Sequence, residues 1–172
     1  MERDLERFER MLLPLMDDAY TLARHLMRDE HDAQDVVQEA YLRAWRHFAS
    51  HRGADGRAWL LTIVRNCSYT WHRRTADPRV VAYDEATHGA EESARGADAA
   101  LLADAERDEL RQAIAQLPIE LRETLVLREV ENMSYRDIAR VTGAPIGTVM
   151  SRLSRARRRL RQLLGAAERE VG

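Results

Sequence analysis

An all-α fold is expected from this chain: two small helical domains, one of four helices and one built around a helix-turn-helix, joined by a flexible linker. Three observations carry the expectation. Apolar residues recur every three or four positions through almost the whole length, with no strand-like alternation. That pattern lapses only in residues 76–100, which are rich in Ala, Glu, Asp, Gly and Ser. The 172 residues are enough for one ordinary domain or two small ones. The expected boundaries are 1–75 for the first domain, 76–100 for the linker and 101–172 for the second domain.

Leu5, Phe8, Leu12, Leu15, Ala19, Leu22 and Leu26 form one helical stripe. Pro14 lies inside it, which predicts two helices or one kinked helix. Asp32 is the expected N-cap of the next helix, with Asp35 favouring its positive end. That helix turns Val37, Tyr41, Ala44 and Phe48 inward. A break follows at His51–Gly56, which holds two glycines. The next helix runs through Trp59, Leu60, Ile63, Val64, Cys67 and Trp71, and Asp77-Pro78 ends it. Beyond the linker, one helix carries Leu101, Leu110, Ile114 and Leu117, and stops before Pro118. Another carries Leu121, Leu125, Val126 and Val130. Ser134-Tyr135-Arg136-Asp137 looks like a capping box with Asp in the usual Glu place, opening a short helix with Ile138, Ala139 and Val141. Gly143 is a natural stop, and Pro145 fits the first turn of a last helix. On that helix Val149, Leu153, Ala156, Leu160 and Leu163 face inward.

Composition narrows the function. All 27 basic residues are arginine, against 29 acidic ones, for a net charge of −2. The distribution matters more than the sum. Residues 1–75 are neutral, residues 76–135 are acidic, and residues 136–161 hold eight arginines and one acid. A local charge of +7 points to nucleic acid where the global value says little. The single cysteine, Cys67, excludes an internal disulfide and any zinc site built on several cysteines. No apolar run approaches the roughly 20 residues of a membrane span, and residues 1–10 alternate charges where a secretory signal would be apolar. A cytoplasmic protein without direct membrane insertion is expected.

Four features invite a role. On the last helix Gly147, Ser151, Ser154 and Arg158 point away from the apolar stripe, flanked by Met150 and Arg155. Small residues near the helix start let it enter a major groove, and arginines further along reach phosphates or guanine edges. A merely solvated basic helix end is the plainer reading, but eight arginines exceed what a helix C-terminus requires. On the helix around Trp59–Trp71, Thr62, Arg65, Asn66, Tyr69 and Arg73 share the face opposite the apolar one. Donors around an aromatic ring suit melted DNA, or an ordinary exposed face. Asp35, Glu39, Leu42 and Arg46 face outward on their helix, either as a docking patch or as a surface with a Glu39–Arg43 pair. His47 and His51 lack a third ligand, so no metal is expected. Cys67 reads as a small core residue, with redox sensing the alternative. No phosphate loop, nucleophile–base pair or supported pair of catalytic acids appears. An enzyme, a cofactor and a small-molecule substrate are therefore not expected.

Four ordered blocks together resemble one family. Asp32-Ala33-Gln34-Asp35-Val36-Val37-Gln38-Glu39-Ala40-Tyr41-Leu42-Arg43-Ala44-Trp45-Arg46 resembles the polymerase-binding helix of small bacterial sigma factors. Arg57-Ala58-Trp59-Leu60-Leu61-Thr62-Ile63-Val64-Arg65-Asn66 is similar to their promoter-melting helix. Leu117-Pro118 with Leu121-Arg122-Glu123-Thr124-Leu125-Val126-Leu127-Arg128 resembles the start of their C-terminal domain. Ser134–Ala139 and Pro145–Arg157 resemble its helix-turn-helix. The family is the extracytoplasmic-function group of RNA polymerase sigma factors, and the likeness covers nearly all of the chain outside the linker.

The resemblance implies an alternative sigma factor that binds core RNA polymerase, at the largest-subunit clamp and flap, and directs it to particular promoters. Asp35, Gln38, Glu39 and Leu42 would dock on the clamp. His51, Arg52 and Asp55, in the loop that receives a flipped base in this family, would engage the −10 element with Arg65, Asn66, Tyr69 and Arg73. Arg136, Thr148, Ser151, Arg152, Arg155 and Arg158 would read the −35 element as duplex. Met150 departs from the pattern, standing where many relatives carry arginine. An anti-sigma factor is the implied regulator. The competing reading is a stand-alone helix-turn-helix repressor or activator, which would bind a two-fold duplex site as a dimer without polymerase.

Overall fold

The computed structural model describes residues 1–76 and 98–170. Its helices are α1 (Glu2–Leu12), a 3₁₀ turn (Leu13–Leu15), α2 (Met16–Leu26), α3 (Glu30–Phe48), α4 (Gly56–Thr75), α5 (Asp98–Ala115), α6 (Ile119–Glu129), α7 (Tyr135–Thr142) and α8 (Ile146–Glu170). No strand occurs among the described residues. The expected linker falls mostly outside them, and α5 begins at Asp98, inside the stretch read as linker.

Local chemistry explains most boundaries. Pro14 lacks an amide hydrogen, and the chain answers with the 3₁₀ turn that separates α1 from α2. The N-cap of α3 is Asp29, not Asp32. Its Oδ1 accepts the amides of His31 and Asp32 at 2.6 and 3.3 Å, so Asp32 already lies in the first turn. Asp55 caps α4 through Ala58 N–H at 3.1 Å. Ser134 caps α7 through Asp137 N–H at 3.1 Å, and Gly143 ends it at φ 70°. Gly56 permits close packing of α4 on α1, since a Cβ there would lie 2.7 Å from Cγ of Met11.

Helices α2, α3 and α4 pack on one another, as do α6, α7 and α8; α2 also packs on α6, and α4 on α7. One hydrophobic cluster therefore runs through both halves. Leu12, Leu22, Leu26, Leu60, Leu61, Leu117, Leu127, Ile138 and Leu153 are all fully buried in it. Leu61 and Leu127 lie off the stripes expected from the sequence. Leu61 is enclosed because α4 has neighbours on several sides: α1, α2, α3 and α7. Leu5, a member of the first apolar stripe, is exposed, and so are Leu101, Leu110 and Val130 on the helices that carry them. Val130 stands at the C-cap of α6, and among helices α5 packs mainly on α8.

Candidate nucleic-acid interface

Helices α7 and α8 form the helix-turn-helix. Val149, Leu153 and Ala156 seat α8 on the core, leaving Gly147, Met150, Ser151, Ser154, Arg155 and Arg158 exposed. Thr148 and Arg152 are half-buried at the edge of this face, and Arg136 is exposed on α7. The Ser151 hydroxyl donates to the Thr148 carbonyl at 3.0 Å. Arg157 is held apart from this set: its Nε donates to Glu129 at 3.0 Å. The six residues expected at the −35 element thus lie on two consecutive helices.

The loop before α4 makes a pocket of about 400 Å³. His51 stacks on Trp59 with ring centroids 4.1 Å apart and planes 15° from parallel. Arg7 donates to the His51 carbonyl at 3.1 Å and so fixes the loop start. Gly53 passes so close to the imidazole that a Cβ would sit 3.0 Å from its Cε1. Asp55 contributes to the rim and Arg52 is exposed beside it. Arg140 of α7 also lines the pocket, and its guanidinium lies 3.5 Å from Asp55 Oδ2.

Along α4, Asn66 and Arg73 are exposed, whereas Arg65 and Tyr69 are half-buried. The reason is α6. Arg65 donates from Nε and Nη2 to the Glu123 carboxylate, at 2.9 and 3.3 Å, and lies 3.9 Å above the Tyr69 ring. Glu123 is fully buried, which pushes its carboxyl up while Arg65 pulls it back. Burial, with Glu123 nearby, also raises the Tyr69 hydroxyl. A second cross-contact joins Arg57 of α4 to Asp18 of α2 and to Glu131, each at 2.8 Å. Burial and the Asp18 charge push Glu131 up to about 7, against the pull of Arg57. Arg122 reaches the carbonyls of Ala115 and Leu117 at 2.8 Å and that of His25 at 3.3 Å.

On α3, Asp35, Gln38 and Leu42 are exposed and Glu39 half-buried, all within two turns of one helix. The Arg43 guanidinium donates to Glu39 at 2.6 Å, and that hydrogen bond holds the Glu39 carboxyl below its ordinary value. Gln38 and Leu42 also border a groove of about 860 Å³ between α3 and the α1–α2 segment, whose apolar rim includes Leu5, Leu13, Met16 and Trp45. Cys67 is buried, and burial pushes its thiol up.

The sequence did not expose three of these features: the Glu123 and Glu131 contacts to α4, the place of Arg140 at the pocket, and the apolar groove. Each depends on residues far apart in the chain. The surplus apolar residues Leu13, Met16 and Trp45, outside every assigned stripe, were the one available sign of the groove. Among the described residues no cluster of His, Cys, Asp and Glu could hold a metal, and no helix is long and apolar enough to cross a membrane.

Residues 12–77 match the family described as Sigma-70 region 2, and residues 107–160 match Sigma-70, region 4. The chain is 35% identical to the RNA polymerase sigma-H factor of Pseudomonas aeruginosa, over 98% of this chain and 91% of that protein. It is 34% identical to the ECF RNA polymerase sigma-E factor of Haemophilus influenzae, over 79% and 75% respectively. Its fold is similar to the sigma factor RpoE of Bartonella quintana, solved in complex with the anti-sigma factor NepR, with a TM-score of 0.73, 30% identity, and coverage of 93% and 98%. A similar likeness, with a TM-score of 0.68 at 25% identity and coverage of 94% and 90%, holds for CnrH, solved with the cytosolic domain of CnrY. The chain therefore belongs to the extracytoplasmic-function family of bacterial RNA polymerase sigma factors, and is an alternative sigma factor.

Proposed function

We propose that this sigma factor acts in the cytoplasm, not as an enzyme but as a dissociable subunit that gives core RNA polymerase its choice of promoter. The exposed face of α3, with Asp35, Gln38, Glu39 and Leu42, docks on the polymerase clamp. The stacked His51–Trp59 pocket takes a base flipped from the −10 element, and Arg52, Asp55, Arg65, Asn66, Tyr69 and Arg73 hold the melted strand around it. Arg136, Thr148, Ser151, Arg152, Arg155 and Arg158 hold the −35 duplex. Residues 76–100 act as the linker between a domain at 1–75 and one at 101–172. An anti-sigma factor holds the protein inactive until a signal releases it, as the complexes formed by RpoE and CnrH suggest.

The observation that carries the proposal is that one chain joins the exposed acidic-apolar face of α3 to a helix-turn-helix whose outer face is arginine and small side chains. The test is run-off transcription with core polymerase on a genomic promoter library. Defined start sites that appear only when this chain is added are expected. Tight duplex binding as a dimer, with no change in start sites, would instead establish a stand-alone regulator.

A further inference from the structure

The exposed face of α8 contains one long apolar side chain that hydrophobic burial does not explain. Met150 is 53% exposed. It stands beside the buried stripe of Val149, Leu153 and Ala156, not in it. Its neighbours on that face are small: Gly147, where an added Cβ would meet nothing within 4 Å, and the exposed Ser151 and Ser154. One turn earlier, at i−4, Ile146 is 44% exposed, so two apolar side chains share one edge of the helix start. They lie in the most basic stretch of the chain, between Arg140 and Arg155.

A flexible thioether standing among short side chains is free to approach the floor of a major groove. Of the groups displayed there only one is apolar, the 5-methyl of thymine. A methionine there has no donor for guanine and no strong acceptor for cytosine. We infer that Met150, with Ile146 beside it, is a specificity-determining residue that selects thymine in the −35 element by apolar contact with the 5-methyl group. The inference rests on the proposal that α8 enters the −35 duplex, and it adds a hydrophobic readout to the polar one. Arg155 and Ser151 supply attraction and register, and Met150 supplies a preference for the one base that displays an apolar group in the major groove.

The experiment uses holoenzyme assembled from the full chain and core polymerase, on a promoter found by run-off mapping. Each thymine of the −35 element is replaced in turn by deoxyuridine, which keeps every hydrogen-bonding group and removes only the methyl. At one or two positions, uracil should weaken open-complex formation by about fourfold, the worth of burying one methyl. In Met150→Ala the same replacement should cost little, and Met150→Arg should move the preference there towards guanine. Uracil tolerated everywhere, or penalised equally in the wild type and Met150→Ala, overturns the inference. So does a Met150→Ala defect confined to core affinity, which would make the pair a protein contact. A promoter indifferent to scrambling of its −35 element would instead remove the duplex-reading role of α8, and the inference with it.

Discussion

Glu39 and Arg155 lie on opposite halves of the molecule, and exchanging either tests one task alone. Glu39 is hydrogen-bonded by Arg43 on a surface helix, so Glu39→Arg places two like charges a turn apart and reverses the sign of the proposed docking face. Its affinity for core polymerase should fall about tenfold or more in a fluorescence-anisotropy titration, while duplex binding by the C-terminal half is unchanged. Arg155→Ala should do the reverse, weakening −35 binding by about 1–3 kcal/mol without affecting core affinity. Equal loss of both at unchanged stability would refute this division of tasks. Both residues could be chosen without coordinates, because each lies off an apolar stripe and local periodicity fixes its direction. Arg65 could be chosen too, but its surroundings could not: periodicity puts it opposite the apolar face, yet it is half-buried against α6, and nothing in the run around it announces Glu123, 58 positions away.

Helices were readable wherever their signals were local. Ser134 and Gly143 bracket α7 as the sequence led one to expect, and Pro14 broke the first stripe. Asp32 misled because Asp29, also a good cap, lies three residues earlier, and two acidic residues in series satisfy the same pattern. The cap is testable: Asp29→Ala should cost about 1 kcal/mol in urea denaturation, and Asp32→Ala distinctly less. Gly143→Ala forces a Cβ into the left-handed region at φ 70°, and should destabilise the C-terminal half by about 1–2 kcal/mol. The apolar edges of α1 and α3 were harder to read. Leu5 fits the stripe that buries Phe8 and Leu12, yet it is 44% exposed, since period alone cannot show where a helix outruns its neighbours.

The two halves meet through carboxylates that press on the arginines of α4, and this couples their packing to pH. Glu131 has an ordinary value of 4.5 and is held at about 7 in the packed structure. A raised carboxyl means that the packed form holds its proton more tightly than the unpacked form. Its contribution is therefore greatest below about 4.5, and is lost as pH rises through about 7. Urea midpoints at pH 5.5 and pH 8 should differ less in Glu131→Gln than in the wild type, and an unchanged difference would discount this group. Glu123→Gln should weaken the grip on Arg65, and a larger separation of fluorophores placed on α3 and α8 would register it. The buried Glu123 carboxylate has one more consequence. A DNA phosphate reaching Arg65 meets a cation already paired with a covalently linked acid, and so releases fewer of the cations condensed on the DNA than it would at a free arginine. Fewer ions then enter solution, so occupancy of this surface should fall less steeply with added sodium chloride than its arginine content suggests.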